Sequence, residues 1–294
     1  MKIMLVGKNG QVGWELMRTL APLGQVIPFD QEDMDLSEPD AIRKKVREVA
    51  PNLIVNAAAY TAVDKAESDP DLAMKVNGIA PGVLAEEAKK IDSPIVHYST
   101  DYVFDGKKSG PYLEEDAANP QSVYGRTKLA GEEAVRNSGA EHLIFRTSWV
   151  YGIRGHNFLL TILRLAKERD ELKVVDDQIG APTWSRMIAE ATSLSLAKCY
   201  GQRGSAFSSS FSGTYHLTSN GATSWHGFTE AILDKLEKRP KLIPIPTEDY
   251  PLPAVRPKNS ILSNEKLAST FGIALPDWHI CLDLCLADKG VSVR

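Results

Sequence analysis

A tyrosine and a lysine four residues apart, Tyr124 and Lys128, form a pair suited to proton transfer. On a helix the two side chains would lie one turn apart on the same face. An ammonium group held beside a phenol favours the phenolate and lowers the pKa of the tyrosine from about 10 towards neutral pH. The spacing therefore predicts that Tyr124 exchanges a proton with a bound substrate and that Lys128 lowers its pKa.

A hydroxyl group is expected to join this pair. Thr100 lies in the segment 98–102 (YSTDY), at the end of an apolar run that is typical of a strand covered on both faces. Ligands of open α/β sheets bind at the carboxyl ends of such strands. We therefore expect the Thr100 hydroxyl to lie beside Tyr124 at the edge of a sheet.

A glycine-rich turn follows the first apolar run of the chain. Gly7, Gly10 and Gly13 form a GxxGxxG pattern, and apolar residues at helical spacing continue it. A turn without Cβ atoms lets the backbone approach a pyrophosphate, and the helix that follows offers free N–H groups to it. The pattern predicts a dinucleotide site, and a tight turn that serves packing alone is the alternative.

An acidic residue, Asp30, ends the second apolar run, about 20 residues beyond the glycine turn. A carboxylate at that position accepts hydrogen bonds from the adenosine ribose of a dinucleotide, and an ordinary loop carboxylate is the alternative. Asp30 favours NADH because it repels a 2′-phosphate, whereas Lys8 in the turn partly offsets that repulsion for NADPH. The choice between NADH and NADPH stays open at this point.

Short apolar runs alternate with longer amphipathic segments along the chain. This alternation predicts βαβ units, and their strands and helices must position the residues named above. The expected strands are residues 2–7, 25–29, 52–56, 94–99 and 141–146, and the expected long helices are 69–90 and 123–136. The fold class that follows is α/β, a doubly wound parallel sheet of the Rossmann type with a smaller C-terminal α/β domain that binds substrate.

The regular pattern weakens after residue 150. We expect residues 1–150 to form the dinucleotide-binding Rossmann domain, extended by elements within 157–199. Those elements are a strand at 172–175 and a helix at 186–198, both expected to extend the same sheet. Residues 151–294, mainly 214–294, are expected to form the substrate-binding part.

Two stretches of this second part have the composition of loops. Residues 201–213 are rich in Ser and Gly, which predicts a surface loop. Six of the 17 prolines fall between Pro240 and Pro257, where a regular helix cannot form. We expect this second stretch to wrap over part of the molecule.

Composition excludes several classes of protein. The 294 residues carry 34 basic and 38 acidic side chains, a formal net charge of −4, so the chain lacks the basic surface that nucleic-acid binding requires. Its apolar runs are too short for a signal peptide or a membrane span. Cys199, Cys281 and Cys285 have neither disulfide nor zinc spacing. We expect a cytoplasmic protein with no nucleic-acid or membrane partner.

Longer motifs carry a resemblance to a known family. The glycine turn, the stretch STDYVFDG and the stretch YGRTKLAGE resemble the extended short-chain dehydrogenase/reductase family over most of the chain. Five segments further resemble the dTDP-4-dehydrorhamnose reductases within that family. These segments are residues 56–67, 97–104, 145–151, 177–183 and 256–260.

The resemblance implies roles for residues that match the family motifs. On the cofactor side it implies Gly10, Gln11 and Val12 at the pyrophosphate, Asp30 at the ribose, Asp35 and Leu36 near the adenine, Ala59, Tyr60, Thr61 and Tyr98 along the groove, and Lys128 at the nicotinamide ribose. On the sugar-nucleotide side it implies Thr100, Asp101 and Trp149, with Tyr124 as proton donor and Asn157 and Arg256 as further candidates. Trp149 as a core aromatic and Arg256 as a surface charge are the alternatives.

The implied reaction is reduction of the 4-keto group of dTDP-4-dehydro-L-rhamnose to dTDP-L-rhamnose, for cell-surface polysaccharide, with NADPH or NADH as cofactor. The implied partner is this small molecule, and a homodimer is a further expectation. One alternative is an epimerase or dehydratase of the same fold, although a dehydratase usually has two carboxylates after the catalytic threonine and this chain has Asp101 and Tyr102. The other is a non-catalytic, cofactor-binding regulatory subunit, similar to the beta subunit of methionine adenosyltransferase.

Magnesium is the one family feature that the sequence does not favour. Some members bind magnesium through carboxylates at a dimer contact, and Glu15 matches that pattern. Arg186, however, occupies the position where a partner carboxylate is expected. Because magnesium requires oxygen ligands, the sequence predicts no metal site.

Overall fold

The architecture is that of a parallel α/β protein. The computed structural model describes residues 1–201 and 206–289. Its strands are β1 Lys2–Val6, β2 Gln25–Phe29, β3 Leu53–Asn56, β4 Ile95–Thr100, β5 His142–Thr147, β6 Val150–Tyr151, β7 Glu171–Val175, β8 Ile179–Gly180, β9 Thr183–Trp184, β10 Gly213–His216, β11 Thr223–Ser224 and β12 Lys241–Ile245. Six of these strands form one parallel sheet in the order β10-β5-β4-β3-β1-β2.

Helices cover both faces of this sheet. They are α1 Gln11–Thr19, α2 Pro39–Val49, α3 Val63–Ala66, α4 Pro70–Met74, α5 Ala80–Lys90, α6 Val123–Asn137, α7 Phe158–Glu168, α8 Ser185–Tyr200, α9 Trp225–Leu233, α10 Glu265–Phe271 and α11 Trp278–Asp288. Side chains alternate along β1, so that Ile3 and Leu5 join one apolar cluster whereas Met4 and Val6 join the other. The expected doubly wound sheet is confirmed, since strands that are apolar on both faces need helices on both.

The helix expected at 69–90 is interrupted. Residues Lys75–Ile79 form a π-helical turn between α4 and α5. In this turn the buried Asn77 side chain accepts a hydrogen bond from the backbone N–H of Tyr60 at 2.8 Å and donates one to its carbonyl at 3.0 Å. The wider turn thus fixes the loop that follows β3, and π-helical turns of this kind are common at functional sites.

The expectation that residues 172–175 extend the central sheet is wrong. This strand, β7, pairs with β12 in a separate two-stranded parallel sheet. The helix expected at 186–198 is α8, which packs against α1 on the central sheet. The edge of the sheet beyond β5 is instead occupied by β10.

The loop-like stretches contain more regular structure than their composition suggests. The proline-rich stretch includes β12, where Pro244 is tolerated because a two-stranded sheet leaves one side of each strand unpaired. Of the expected surface loop at 201–213, residues 202–205 lie outside the described residues, and Ser209–Phe211 form a short 3-10 turn. No helix in the described residues is long and apolar enough to span a membrane.

Candidate active site

The glycine turn brings three backbone segments close together. A Cβ atom on Gly7, where φ is +90°, would lie 2.7 Å from the backbone nitrogen of Ala58, and one on Gly13 would lie 1.9 Å from the Gly7 carbonyl oxygen. Gly10 is the N-cap of α1 and places no capping side chain over the helix. The first N–H groups of α1, at Gln11 and Val12, are therefore available to a phosphate oxygen.

Gln11 links this turn to the second part of the molecule. Its Oε1 accepts a hydrogen bond from Asn157 Nδ2 at 2.8 Å. Asn157 also caps α7, because its Oδ1 accepts the Leu160 N–H at 3.0 Å. The predicted substrate residue Asn157 thus lies beside the pyrophosphate end of the site and determines where α7 begins.

The predicted adenosine end of the site is a turn of acidic residues after β2. Asp33 Oδ2 accepts the backbone N–H of Asp30 at 3.0 Å and pairs with Lys8 Nζ at 2.5 Å. The side-chain hydrogen bond with Asp33 raises the pKa of Lys8. Lys8 thus pairs with Asp33. Of the two residues predicted near the adenine, Asp35 is exposed and Leu36 is buried.

The groove expected beyond this point is built largely from backbone. Ala59, Tyr60 and Thr61 follow β3, in the loop that Asn77 fixes. The Tyr98 side chain lies in the apolar core and its hydroxyl bonds Thr192 of α8 at 2.7 Å. Only the carbonyl of Tyr98 contacts a predicted catalytic residue, Lys128.

The proton-transfer residues meet where β4 ends and α6 begins. Thr100 is the last residue of β4, and Tyr124 lies in the first turn of α6, which Ser122 caps by accepting the Gly125 N–H at 3.1 Å. Gly125 allows this approach because a Cβ there would lie 2.2 Å from the carbonyl oxygen of Tyr102. The Thr100 hydroxyl lies near enough to lower the pKa of the Tyr124 phenol. Their joint role in proton transfer stays a prediction.

The prediction that Lys128 lowers the pKa of Tyr124 is wrong. Burial, as the largest cause, raises the pKa of Tyr124 to about 12, with the Asp101 charge as a smaller cause, while the nearby Thr100 hydroxyl opposes this. Lys128 Nζ instead donates to the Tyr98 carbonyl at 2.6 Å, and burial lowers the pKa of Lys128 to about 8. The amine therefore faces β4 and not the phenol.

A buried polar network holds Lys128, which motif spacing did not indicate. His97 Nε2 lies 3.5 Å from Lys128 Nζ, and His97 Nδ1 lies 3.2 Å from Asn56 Nδ2. Asn56 Oδ1 accepts the Ala58 N–H at 3.3 Å. Burial lowers the pKa of His97 well below its ordinary value, so the imidazole is neutral. The network connects the lysine to the loop that follows β3.

Trp149 is held in a strained conformation on the substrate side. Its φ of +48° is unusual for a large side chain and is typical of functional sites. The half-buried indole stacks on Trp225 with ring centroids 3.5 Å apart, and a Cβ on Gly180 would lie 2.5 Å from its ring. Spacing in the sequence gives no sign that the Trp225 ring meets Trp149.

A cavity of about 1130 Å³ opens beside this stack. Residues that line it include Phe158, Gln178, Trp225, Thr247, Tyr250 and Arg256. Arg256 is half-buried and makes two hydrogen bonds to the Asp64 carboxylate, at 3.0 and 2.8 Å. The side-chain bond with Arg256 lowers the pKa of Asp64. Arg256 therefore fixes the proline-rich segment to α3.

The residues at the expected magnesium position do not fit that metal. Arg186 Nε lies 3.2 Å from Glu15 Oε2, and Arg186 Nη2 lies 2.9 Å from Asp288 Oδ2. A guanidinium thus occupies the space between the two carboxylates and neutralises them. Within residues 1–201 and 206–289 no group of three or more metal-binding side chains is present.

Comparison with known proteins agrees with this geometry. Residues 1–290 match the family model described as RmlD substrate binding domain. A dTDP-4-dehydrorhamnose reductase of Burkholderia thailandensis is 53% identical over 297 residues, covering 98% of this chain and 99% of that protein.

Two solved structures extend the comparison to the fold. The Clostridium acetobutylicum dTDP-4-dehydrorhamnose reductase is 40% identical, with a TM-score of 0.92 over 99% of this chain and 100% of that one. The Bacillus anthracis enzyme, solved in complex with NADP, is 34% identical, with a TM-score of 0.89 over 98% of this chain and 99% of that one. The chain therefore belongs to the dTDP-4-dehydrorhamnose reductase family.

Proposed function

We propose that this protein reduces the 4-keto group of dTDP-4-dehydro-L-rhamnose to give dTDP-L-rhamnose, using NADPH or NADH. The observation that carries the proposal is the meeting of Thr100 and Tyr124 at the carboxyl end of β4, with Lys128 buried one helical turn further along α6. Family membership supports the choice of substrate, and the NADP complex of the Bacillus anthracis relative supports the class of cofactor.

The residues present fit a dinucleotide, because the glycine turn leaves the α1 N-terminus uncapped and no Cβ atom could be accommodated at Gly7 or Gly13. When bound, the nicotinamide supplies the hydride for carbon 4 of the sugar. Gln11 and Val12 would bind the pyrophosphate through backbone N–H groups. Lys128 would donate hydrogen bonds to the nicotinamide ribose.

Tyr124 supplies the proton in this proposal. Its hydroxyl protonates the oxygen on carbon 4 as negative charge develops there, and the Thr100 hydroxyl stabilises the phenolate that remains. The pKa of Tyr124, raised to about 12, keeps the phenol protonated and ready to donate.

The substrate side is assigned mainly to the second part of the chain. Trp225 lines the cavity that takes the nucleoside diphosphate, and Trp149, from the end of the first part, stacks on Trp225. Arg256 is one of several cations that line that cavity, and its guanidinium can bind a diphosphate when it leaves Asp64. The separation into residues 1–150 for cofactor and 151–294 for substrate is part of this proposal.

The decisive experiment measures consumption of NADPH and of NADH with dTDP-4-dehydrorhamnose. Stoichiometric loss of nicotinamide absorbance supports a reductase, whereas conversion of the sugar without that loss supports an epimerase. Tyr124→Phe should lower turnover about 100-fold or more and leave cofactor binding intact. Tyr200→Phe, which removes a phenol bonded to the Asn52 carbonyl, is the matched control. Near-normal turnover by Tyr124→Phe would refute the assignment.

A homodimer, a cytoplasmic location, the absence of nucleic-acid and membrane partners, and a supply of rhamnose to polysaccharide belong to the same proposal. The three cysteines are free and buried, which agrees with a reducing compartment. Co-purification of a second protein without ketosugar reduction would instead support the regulatory-subunit alternative.

A further inference from the structure

Four polar side chains beside the cavity form one chain of hydrogen bonds. Trp225 Nε1 donates to Gln178 Oε1 at 3.2 Å, and Gln178 Nε2 donates to Thr247 Oγ1 at 3.0 Å. Thr247 Oγ1 in turn donates to Asp177 Oδ1 at 2.5 Å. The side chains of Trp225, Gln178 and Thr247 line the cavity. This Trp225–Asp177 chain therefore runs along the proposed substrate side, from an aromatic ring to a carboxylate.

The two ends of the Trp225–Asp177 chain fix the direction of every bond in it. An indole N–H can only donate, and an ionised carboxylate can only accept. Burial by itself would raise the pKa of Asp177, but the hydrogen bonds from Thr247 and Lys258 outweigh it and lower that pKa. Asp177 is therefore ionised at neutral pH. The Gln178 amide and the Thr247 hydroxyl between the two ends complete the chain in one orientation only, and each bond polarises the next.

The chain joins three segments that are distant in sequence. Asp177 and Gln178 lie between β7 and β8, Trp225 begins α9, and Thr247 begins a 3-10 turn after β12. Asp177 Oδ1 also accepts the backbone N–H of Thr247 at 2.8 Å. That bond holds the turn to residue 177 whatever the side chain at 247. Loss of the Thr247 hydroxyl therefore breaks the chain without detaching the segment.

The Trp225 ring needs the chain because stacking alone does not fix its rotation. The ring lies against Trp149 with an angle of 6° between the two planes, and against Phe158 at a centroid distance of 4.5 Å. Stacking sets the plane of a ring but leaves it free to turn within that plane. The bond from Nε1 to the Gln178 amide removes this freedom. Gln178 is only 5% exposed, so its amide is itself held in place.

We propose that Gln178 is a positioning residue for the dTDP-sugar, which fixes the rotation of the Trp225 indole where that ring lines the cavity. Thr247 acts one bond further away, because it holds the Gln178 amide in the orientation that accepts the indole N–H. The inference rests on the proposed function, in which this cavity takes the nucleoside diphosphate. None of the residues of the chain belongs to the proposed cofactor site.

The first test measures affinity on the two sides of the molecule. Gln178→Leu keeps a similar volume and removes both amide hydrogen bonds, so the Kd of dTDP and the KM of the dTDP-sugar should each rise about fivefold. Turnover and the Kd of NADPH should stay as in the wild type. Thr247→Val should raise the same two constants about threefold, and Thr247→Ser, which keeps the hydroxyl, should restore them. Unchanged dTDP affinity in Thr247→Val, or no recovery in Thr247→Ser, would overturn the proposal.

The second test asks whether Gln178 and Thr247 act through the indole. The indole N–H resonance of Trp225, assigned by its loss in Trp225→Phe, should move upfield in Gln178→Leu and Thr247→Val and return in Thr247→Ser. Thr229→Val is the matched control, because the Thr229 hydroxyl donates to the carbonyl of Trp225 at 2.8 Å and not to its ring. This control should leave the resonance and the dTDP affinity unchanged. A weaker dTDP affinity with an unmoved resonance would show direct contact with the ligand and refute the chain.

These outcomes are distinct from failure of the proposed function. A wild-type protein that binds no dTDP and reduces no ketosugar would refute the proposed function, and this inference with it. A wild-type protein that binds dTDP and reduces the ketosugar, with variants that bind dTDP equally well, would refute this inference alone. Retained binding of NADPH verifies that each variant is folded.

Discussion

The proposed cofactor and substrate regions of this molecule are built in different ways. Around the glycine turn, the proposed binding groups are backbone N–H groups at the end of β1 and the start of α1, and Gly7 and Gly13 leave no room for a side chain. Around the cavity, the groups are side chains from distant segments, such as Phe158, Trp225 and Arg256. The first site is local in sequence, whereas the second exists only when the segments pack together.

The largest expected effect is on the backbone-built site. Gly13→Ala places a Cβ 1.9 Å from the Gly7 carbonyl oxygen, so α1 or the turn must move. We expect a loss of about 1–3 kcal/mol in the free energy of unfolding, as for other overpacked sites. Binding of NADPH should be lost at concentrations that saturate the wild type. Denaturant unfolding and nicotinamide fluorescence measure the two effects.

The matched control is Gly110→Ala, because a Cβ at Gly110 meets no atom within 4 Å. It should change stability and cofactor binding little. Retention of normal cofactor affinity by Gly13→Ala would contradict the view that close backbone approach defines this region.

The next effect separates the two regions. Arg256→Lys replaces a planar two-point donor with a point charge that cannot bind a diphosphate in the same way. We expect the KM for the dTDP-sugar to rise about tenfold, whereas the Kd of NADPH stays unchanged. Steady-state kinetics and cofactor titration measure the two constants. A parallel loss of cofactor affinity would show that Arg256 does not belong to the substrate side.

A smaller effect is expected from the stacked tryptophans. Gly180→Ala places a methyl group 2.5 Å from the Trp149 ring and should displace the ring from Trp225. We expect the KM for the dTDP-sugar to rise about threefold to fivefold, since an aromatic contact contributes about 1 kcal/mol. Tryptophan fluorescence should change in the same variant. Unchanged fluorescence together with unchanged KM would contradict a binding role for the stack.

The smallest effect is expected from metal removal. Because Arg186 already joins Glu15 and Asp288, a chelator such as EDTA should change neither turnover nor the oligomeric state. Activity assays and light scattering, with and without magnesium, measure this. If magnesium changes the turnover or the oligomeric state of the Arg186→Glu variant, the guanidinium has taken the place of the metal.

Much of the fold was predictable because its signals are local. Each central strand from β1 to β5 was expected within a few residues, since strands covered on both faces form short apolar runs. The predicted placement of β7 in the central sheet was wrong. An apolar run indicates that a strand is buried, but it does not indicate which strand it pairs with. Only the pairing with β12, about 70 residues later, decides that.

By itself, the sequence determined the glycine turn between β1 and α1, the neighbouring Tyr124 and Lys128 on one helix, and the family. These depend on steric limits and spacing within a few residues. The tertiary structure alone decided that Lys128 faces the Tyr98 carbonyl, that Trp149 meets Trp225, and that Asp101 is buried with an unpartnered oxygen. Burial and contacts between distant segments set the pKa values and the shape of a site. The spacing of residues along the chain predicts neither the burial nor the contacts.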